Sequence, residues 1–166
     1  LSGFAGRPGP LAVAALCAAI TIALGAALTQ LGPWYAQLQK PPWKPPDILF
    51  GPAWITIFTL CAVCASKAWS DIAERGARLR TAAWFMANLL LNTLWSTLFF
   101  ALHRPDWALV EVGLLWLSIL ALMAMLARHL PRGSRRAAWL LAPYLAWVSF
   151  ASMVNLAIVR MNPPFG

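Results

Sequence analysis

Acidic and titratable side chains are scarce in this sequence. Five Asp and Glu, two His and two Tyr stand among 166 residues, and charged residues of either sign make up 11%, against about 25% in an ordinary soluble domain. So few carboxylates and imidazoles leave little material for general acid–base chemistry or a metal centre. His103 and His129 fall at the ends of apolar runs, with no ligating neighbour at useful spacing. No Ser/His/Asp set, P-loop or G-x-G-x-x-G is present, so a conventional hydrolase, kinase or dehydrogenase has no support. Three cysteines, an odd number, exclude a closed disulfide framework. Cys61 and Cys64 form a C-x-x-C inside a helix-like run without a second ligand pair. They read as small packing residues rather than a redox or metal site.

Apolar surface is what the sequence has in excess. Hydrophobic residues make up 61%, and the mean hydropathy is +0.68. A chain of one-domain length cannot hide that much from water, which excludes a soluble enzyme and a disordered chain. The net charge of +8 is spread thinly between apolar blocks, with no basic stripe. Nucleic acid is therefore not an expected partner; the lipid bilayer and its anionic headgroups are.

Five apolar segments run at about 11–31, 48–70, 80–102, 107–130 and 137–160. At 1.5 Å per residue each exceeds 30 Å, enough to cross a bilayer core, and open-edged strands are forbidden there. The expected architecture is an all-α membrane protein, one domain (1–166) of five transmembrane helices. The first segment is too long for the apolar core of a signal peptide, and four more spans follow. The breaks have local causes: Gly32-Pro33, the charged stretch 71–80, His103-Arg104-Pro105-Asp106, and Pro131 to Arg136. Asp106 is the expected N-cap of the fourth helix. Short connections make neighbouring helices antiparallel.

Counting Lys and Arg orients the chain. One side carries Arg7, Lys67, Arg75, Arg78, Arg80, Arg128, Arg132, Arg135 and Arg136; the other carries Lys40, Lys44, Arg104 and Arg160. The excess predicts a cytoplasmic N-terminus for an inner-membrane route; an outer-membrane location, left open by the sequence, voids the rule.

The long connection 32–47 holds Pro41, Pro42, Pro45 and Pro46, with Trp34, Tyr35 and Trp43. The prolines predict a stiff, extended backbone, and the loop reads as a lid over a cavity rather than as an interfacial aromatic belt alone. In the third segment Asn88 and Asn92 share a face that Trp95 and Phe99 continue. Amides in hydrocarbon need partners, so this face turns inward, as helix–helix glue or as a polar anchor at the floor of a pocket. Trp54 with Phe58, and Trp147 with Ala151 and then Asn155, share faces on the second and fifth helices. Glu111 and Lys67 are expected to snorkel to the interface. Gly25/Thr29 and Ala83/Ala87 are small-residue pairs that permit close helix approach and a homodimer.

Taken together, four ordered blocks resemble the TspO/MBR family of bacterial tryptophan-rich sensory proteins and mitochondrial translocator (peripheral benzodiazepine receptor) proteins. They are Trp34-Tyr35-x4-Lys40-Pro41-x-Trp43-x-Pro45-Pro46, Gly51-Pro52-Ala53-Trp54, Asn88-x3-Asn92-x2-Trp95-x3-Phe99-Phe100 and Pro143-Tyr144-x2-Trp147-x3-Ala151. Glu111, an acidic position early in the fourth helix, also fits. The resemblance implies a five-helix bundle, often dimeric, with a cavity closed by the first loop. It implies porphyrins such as protoporphyrin IX as ligands, with no required cofactor. By position, the pocket it implies comprises Tyr35, Trp43, Pro45, Phe50, Trp54, Phe58, Asn88, Asn92, Trp95, Trp147 and Ala151. It further implies Trp54 and Trp147 as donors in a light-dependent porphyrin degradation known among bacterial relatives. The sterol-recognition pattern of mitochondrial relatives fails at 154–160, where its tyrosine is absent, so high-affinity sterol binding is not expected.

The functional expectation is a receptor or sensor that binds a tetrapyrrole between its helices. Aromatic faces would stack on the macrocycle, Asn88 and Asn92 would bond its polar edge, and Lys40 or Lys44 would meet a carboxylate. The alternatives are photo-oxidative degradation and transport. Against transport, the sequence shows no inverted repeat, no interrupted helix and no buried charge pair.

Overall fold

The structure, a computed structural model, describes residues 9–164. Five helices in it are long and apolar enough to cross a membrane, and no strand occurs among the described residues. The chain is an integral, multi-pass membrane protein. Helix α1 spans Pro10–Leu28 and a short α2 spans Pro33–Gln37. Helix α3 spans Phe50–Asp71 behind a 3-10 turn at Asp47–Leu49. Helix α4 spans Arg75–Ser96 and widens into a π turn at Thr97–Ala101. Helix α5 spans Pro105–His129, and α6 spans Ala142–Met161 behind a 3-10 segment at Arg135–Leu141.

Local chemistry sets the boundaries. Pro10, Pro33 and Pro105 each open a helix at its first position, where a missing N–H costs nothing. Glu74 caps α4 by accepting the Ala77 N–H at 2.8 Å. Pro143 has no N–H for the Trp139 carbonyl, which takes the Ala142 N–H instead, so α6 is entered through 3-10 geometry. Asp106 is not the N-cap of the fourth spanning helix: that position belongs to Arg104. Pro105 starts the helix earlier, and Asp106 lies inside the first turn. It accepts from Arg104 Nε at 2.8 Å and Nη2 at 2.5 Å, where a carboxylate still suits the helix dipole.

The spanning helices pack in the cyclic order α1, α3, α6, α5, α4. Helix α5 is the most buried and α1 the least. The largest core joins Cys64 of α3, Ile119, Leu122 and Leu126 of α5, and Leu141 and Val148 around the α6 entry. Cys61 and Cys64 are buried and free, and Cys64 Sγ lies 3.3 Å from the Ala137 carbonyl. Leu16, Ile20, Leu90, Val110 and Leu117 face outward, which suits hydrocarbon and not water.

Polar side chains stitch the bundle. Asn88 Nδ2 donates to Ser118 Oγ at 2.7 Å, tying α4 to α5. Trp116 Nε1 donates to Ser149 Oγ at 2.8 Å, tying α5 to α6. Lys67 is half-exposed and pairs with Asp71 at 3.2 Å. Glu111 does not snorkel: it is 5% exposed, and neither carboxylate oxygen has a partner among the described residues. Its place on the inward side of α5, beside Val112 and Leu115, leaves no path to the interface. Arg7 lies outside the described residues.

Candidate ligand cavity

A cavity of about 410 Å³ opens beneath the first loop, bounded by α1, α3 and α4. Its volume falls within the ~300–1,000 Å³ typical of small-molecule sites. Phe50, Trp54 and Phe58 of α3 form one wall; Asn92, Trp95, Ser96 and Phe100 of α4 form another. Thr21, Ile22, Gly25, Ala26 and Thr29 supply the α1 side, and Tyr35 with Asp47 closes the top.

Each wall follows from helical spacing. Phe50, Trp54 and Phe58 recur every four residues and so line one face. Trp54 stacks on Phe58 at 5.4 Å. Asn92, Trp95 and Ser96 occupy the matching face of α4. The π turn then buries Phe99 and Phe100 together. Phe100 faces the cavity, while Phe99 stacks on Trp95 at 5.1 Å. Gly25 and Ala26 keep the α1 wall low, and the Thr21 and Thr29 hydroxyls donate back to their own helix at 3.0 and 2.7 Å.

The loop is a folded cover, not an extended strap throughout. Helix α2 occupies its first part because Gly32-Pro33 is a strong helix start. The proline-rich part turns at Pro41–Lys44, where the Lys44 N–H donates to the Pro41 carbonyl at 3.0 Å. Three residues of the cover, Trp34, Gln39 and Trp43, hold it down. Trp34 stacks on His103 at 4.2 Å and meets Phe99 edge-on at 6.0 Å. His103 presents its ring from a left-handed backbone, φ 54°. At the other wall, the Gln39 N–H donates to Asn162 Oδ1 at 2.7 Å, and Asn162 Nδ2 donates to the Gln39 carbonyl at 2.8 Å. Trp43 meets Phe150 edge-on at 5.9 Å.

Tyr35 is the central bolt. Its hydroxyl donates to Asp47 Oδ1 at 2.8 Å, and Lys44 Nζ donates to the same oxygen at 2.5 Å. Burial, and then the neighbouring Asp47 carboxylate, push the Tyr35 phenol far above its ordinary range, so it stays a donor. Lys40 Nζ lies 4.2 Å over the Tyr35 ring and donates to the Tyr35 and Leu38 carbonyls. Both loop lysines are thus engaged by the cover itself.

The cavity brings together Tyr35, Phe50, Trp54, Phe58, Asn92 and Trp95. Asn88 lies deeper, committed to Ser118. Asn92 Nδ2 donates to the Tyr144 hydroxyl at 3.4 Å. Trp147 stands behind the aromatic wall, 5.4 Å from Phe50 and 6.4 Å from Trp54. Its Nε1 has no hydrogen-bond partner among the described residues. Trp43, Pro45 and Ala151 lie outside the cavity lining. The α1 wall, Asp47, Ser96 and Phe100 were missed by sequence reasoning. The Thr21, Gly25, Thr29 spacing was the available signal for α1.

Residues 12–161 match the sequence profile of the TspO/MBR family. The chain is 36% identical over 154 residues to the Tryptophan-rich protein TspO of Chlorobaculum tepidum, covering 90% of this chain and 95% of that protein. It is 37% identical over 130 residues to the Translocator protein of Bos taurus, covering 78% and 75% respectively. It is 32% identical over 136 residues to the Tryptophan-rich sensory protein of Cereibacter sphaeroides, covering 82% and 81%.

Proposed function

The chain belongs to the TspO/MBR family, and from that premise we propose that it is a membrane receptor for a porphyrin-like tetrapyrrole, held in the cavity beneath the first loop. The observation that carries the reading is the pairing of flat aromatic walls with a few polar atoms. Trp54, Phe58, Trp95 and Phe100 offer ring faces and edges to a planar apolar guest. Asn92, Ser96 and Asp47 fix its polar rim. Lys40 and Lys44 sit at the cover, and releasing either from its loop contacts supplies a cation for a propionate. A sensory role fits this architecture because the cavity lining and the cover share two residues, Tyr35 and Asp47.

The test is a dark titration of the purified protein with protoporphyrin IX, followed by tryptophan fluorescence. Saturable quenching at micromolar or lower concentration is expected, with Trp54→Ala weakening it about tenfold through lost stacking and burial. Linear quenching that ignores the substitution would mean partitioning into detergent and would sink the reading. A light-dependent degradation is the second reading. It rests on Trp147 standing 6.4 Å behind Trp54, so that an oxidised cavity-facing Trp has a second indole in contact. Bleaching of bound porphyrin under light, lost in Trp54→Phe, would support it; bleaching at the rate of free porphyrin would not.

A further inference from the structure

A second cavity, of about 420 Å³, lies in the same seam between α1, α3 and α4, at the end of the bundle away from the loop. Ala18, Phe58 and Ala62 pack together between the two cavities and divide them. The second one is almost wholly apolar, walled by residues such as Val13, Ala14, Ala65 and Phe85. Its charged lining residue is Arg78, with the guanidinium carbon 5.1 Å over the Trp69 ring; Thr81 also lines it, with its hydroxyl donating to the Ala77 carbonyl at 2.9 Å. Arg78 Nε is buried and has no hydrogen-bond partner among the described residues. A buried guanidinium N–H left unpaired is costly and asks for an acceptor.

No carboxylate among the described residues pairs with it. Of the chain's five acids, Asp71 pairs with Lys67, and Glu74 is taken by Arg80 and the Ala77 N–H. Asp47, Asp106 and Glu111 belong to the 3-10 turn before α3 and to the start of α5, at the loop end of the bundle. Residues 1–8 contain no acidic side chain. An apolar slot with an unpaired guanidinium N–H in its wall suits an apolar occupant that carries an acceptor headgroup.

We propose that this cavity binds a single-chain anionic amphiphile, a long-chain carboxylate, with its alkyl chain along α1 and α4 and its headgroup on Arg78. A guanidinium fork donates its Nε–H and an Nη–H together to the two oxygens of one carboxylate, and the Trp69 face lies against the Arg78 guanidinium. The site is distinct from the tetrapyrrole cavity and does not depend on it.

The test uses the full chain in phosphatidylcholine nanodiscs with a diazirine-bearing palmitate, mapped by mass spectrometry after photolysis. Labelling is expected on the α1 and α4 peptides that hold Val13 and Phe85. Unlabelled palmitate should compete and its methyl ester should not. Arg78→Gln should cut labelling about tenfold, as loss of a charge-assisted pair implies; Arg78→Lys should recover part of it. Ala82→Leu, which narrows the cavity with the charge intact, should also reduce labelling and guards against a misfolded Arg78 variant. Labelling spread over the outward faces of α5 and α6, or equal competition by the ester, would overturn the proposal. So would competition by phosphatidylglycerol at lower concentration than palmitate, which would assign the site to a two-chain lipid. Protoporphyrin titration of the same variants should be unchanged, which separates this site from the one beneath the loop.

Discussion

Glu111 is a costly side chain for the bundle. A carboxyl group at 5% exposure with neither oxygen bonded gains nothing from its neighbours, and hydrocarbon on the far side of the helix offers no solvent. Trp147 Nε1, on the adjoining helix, is likewise unpaired. An apolar side chain of similar length removes the penalty without opening a void. Glu111→Met is therefore expected to stabilise the bundle by about 1–3 kcal/mol, read as a higher midpoint in thermal unfolding of the detergent-solubilised protein. A lower midpoint would show that the carboxyl has a partner in solution that its packing does not reveal. Asn88 makes the opposite case. Its amide is buried but bonded to Ser118 across two helices, so Asn88→Leu should lower the same midpoint, by about 1–2 kcal/mol.

The first loop works as an element because its two ends are fastened to different walls. Trp34 rests on His103 at the end of α4, and Gln39 exchanges two hydrogen bonds with Asn162 at the end of α6. Asn162→Ala removes the second fastening while touching no cavity residue. Faster hydrogen exchange across residues 33–46 is expected, with the spanning helices unchanged, together with faster porphyrin release. Equal exchange in the two proteins would show that the Trp34 and Trp43 contacts and the Tyr35–Asp47 bolt suffice without Asn162. The five spans were legible in the sequence because bilayer thickness leaves few options for long apolar runs. The aromatic faces of α3 and α4 were legible because four-residue spacing fixes which side chains align. The fold of the loop was not. Prolines 41–46 announce a break, but Gly32-Pro33 starts a helix that their density conceals, and Asn162 lies 123 residues from its partner. Glu111 was misjudged for a similar reason: nearness to a helix end suggests snorkelling, while the face it occupies is set by tertiary packing. The role of α1 as a cavity wall also depended on packing, since its spacing alone gives no neighbour.

At the scale of the whole molecule, charge sorts to one end. Antiparallel helices place the start of α4 and both ends of the α5–α6 connection together, with Arg75, Arg78, Arg80, Arg128, Arg132, Arg135 and Arg136. The loop end holds Lys40, Lys44, Arg104 and Arg160, and three of these are occupied: Lys44 by Asp47, Arg104 by Asp106, and Lys40 by backbone carbonyls. At the other end Lys67, Arg80 and Arg135 are likewise occupied, by Asp71, Glu74 and the Leu130 carbonyl, which among the described residues leaves Arg75, Arg78, Arg128, Arg132 and Arg136 against Arg160. For an inner-membrane route the expected outcome is that the arginine-rich end stays in the cytoplasm, where positive residues resist translocation and anionic headgroups attract them. The loop and the cavity beneath it then open to the opposite face. Gly133 and Gln37 are exposed at the two ends, and a side chain added at Gly133 meets nothing within 4 Å. In a variant with Cys17, Cys61 and Cys64 replaced by alanine, Gln37→Cys should react with a membrane-impermeant maleimide in sphaeroplasts. Gly133→Cys should react only after the membrane is opened. The reverse pattern would place the cavity entrance in the cytoplasm. It would also mean that the arginines hold their end by binding lipid in the outer leaflet rather than by resisting export.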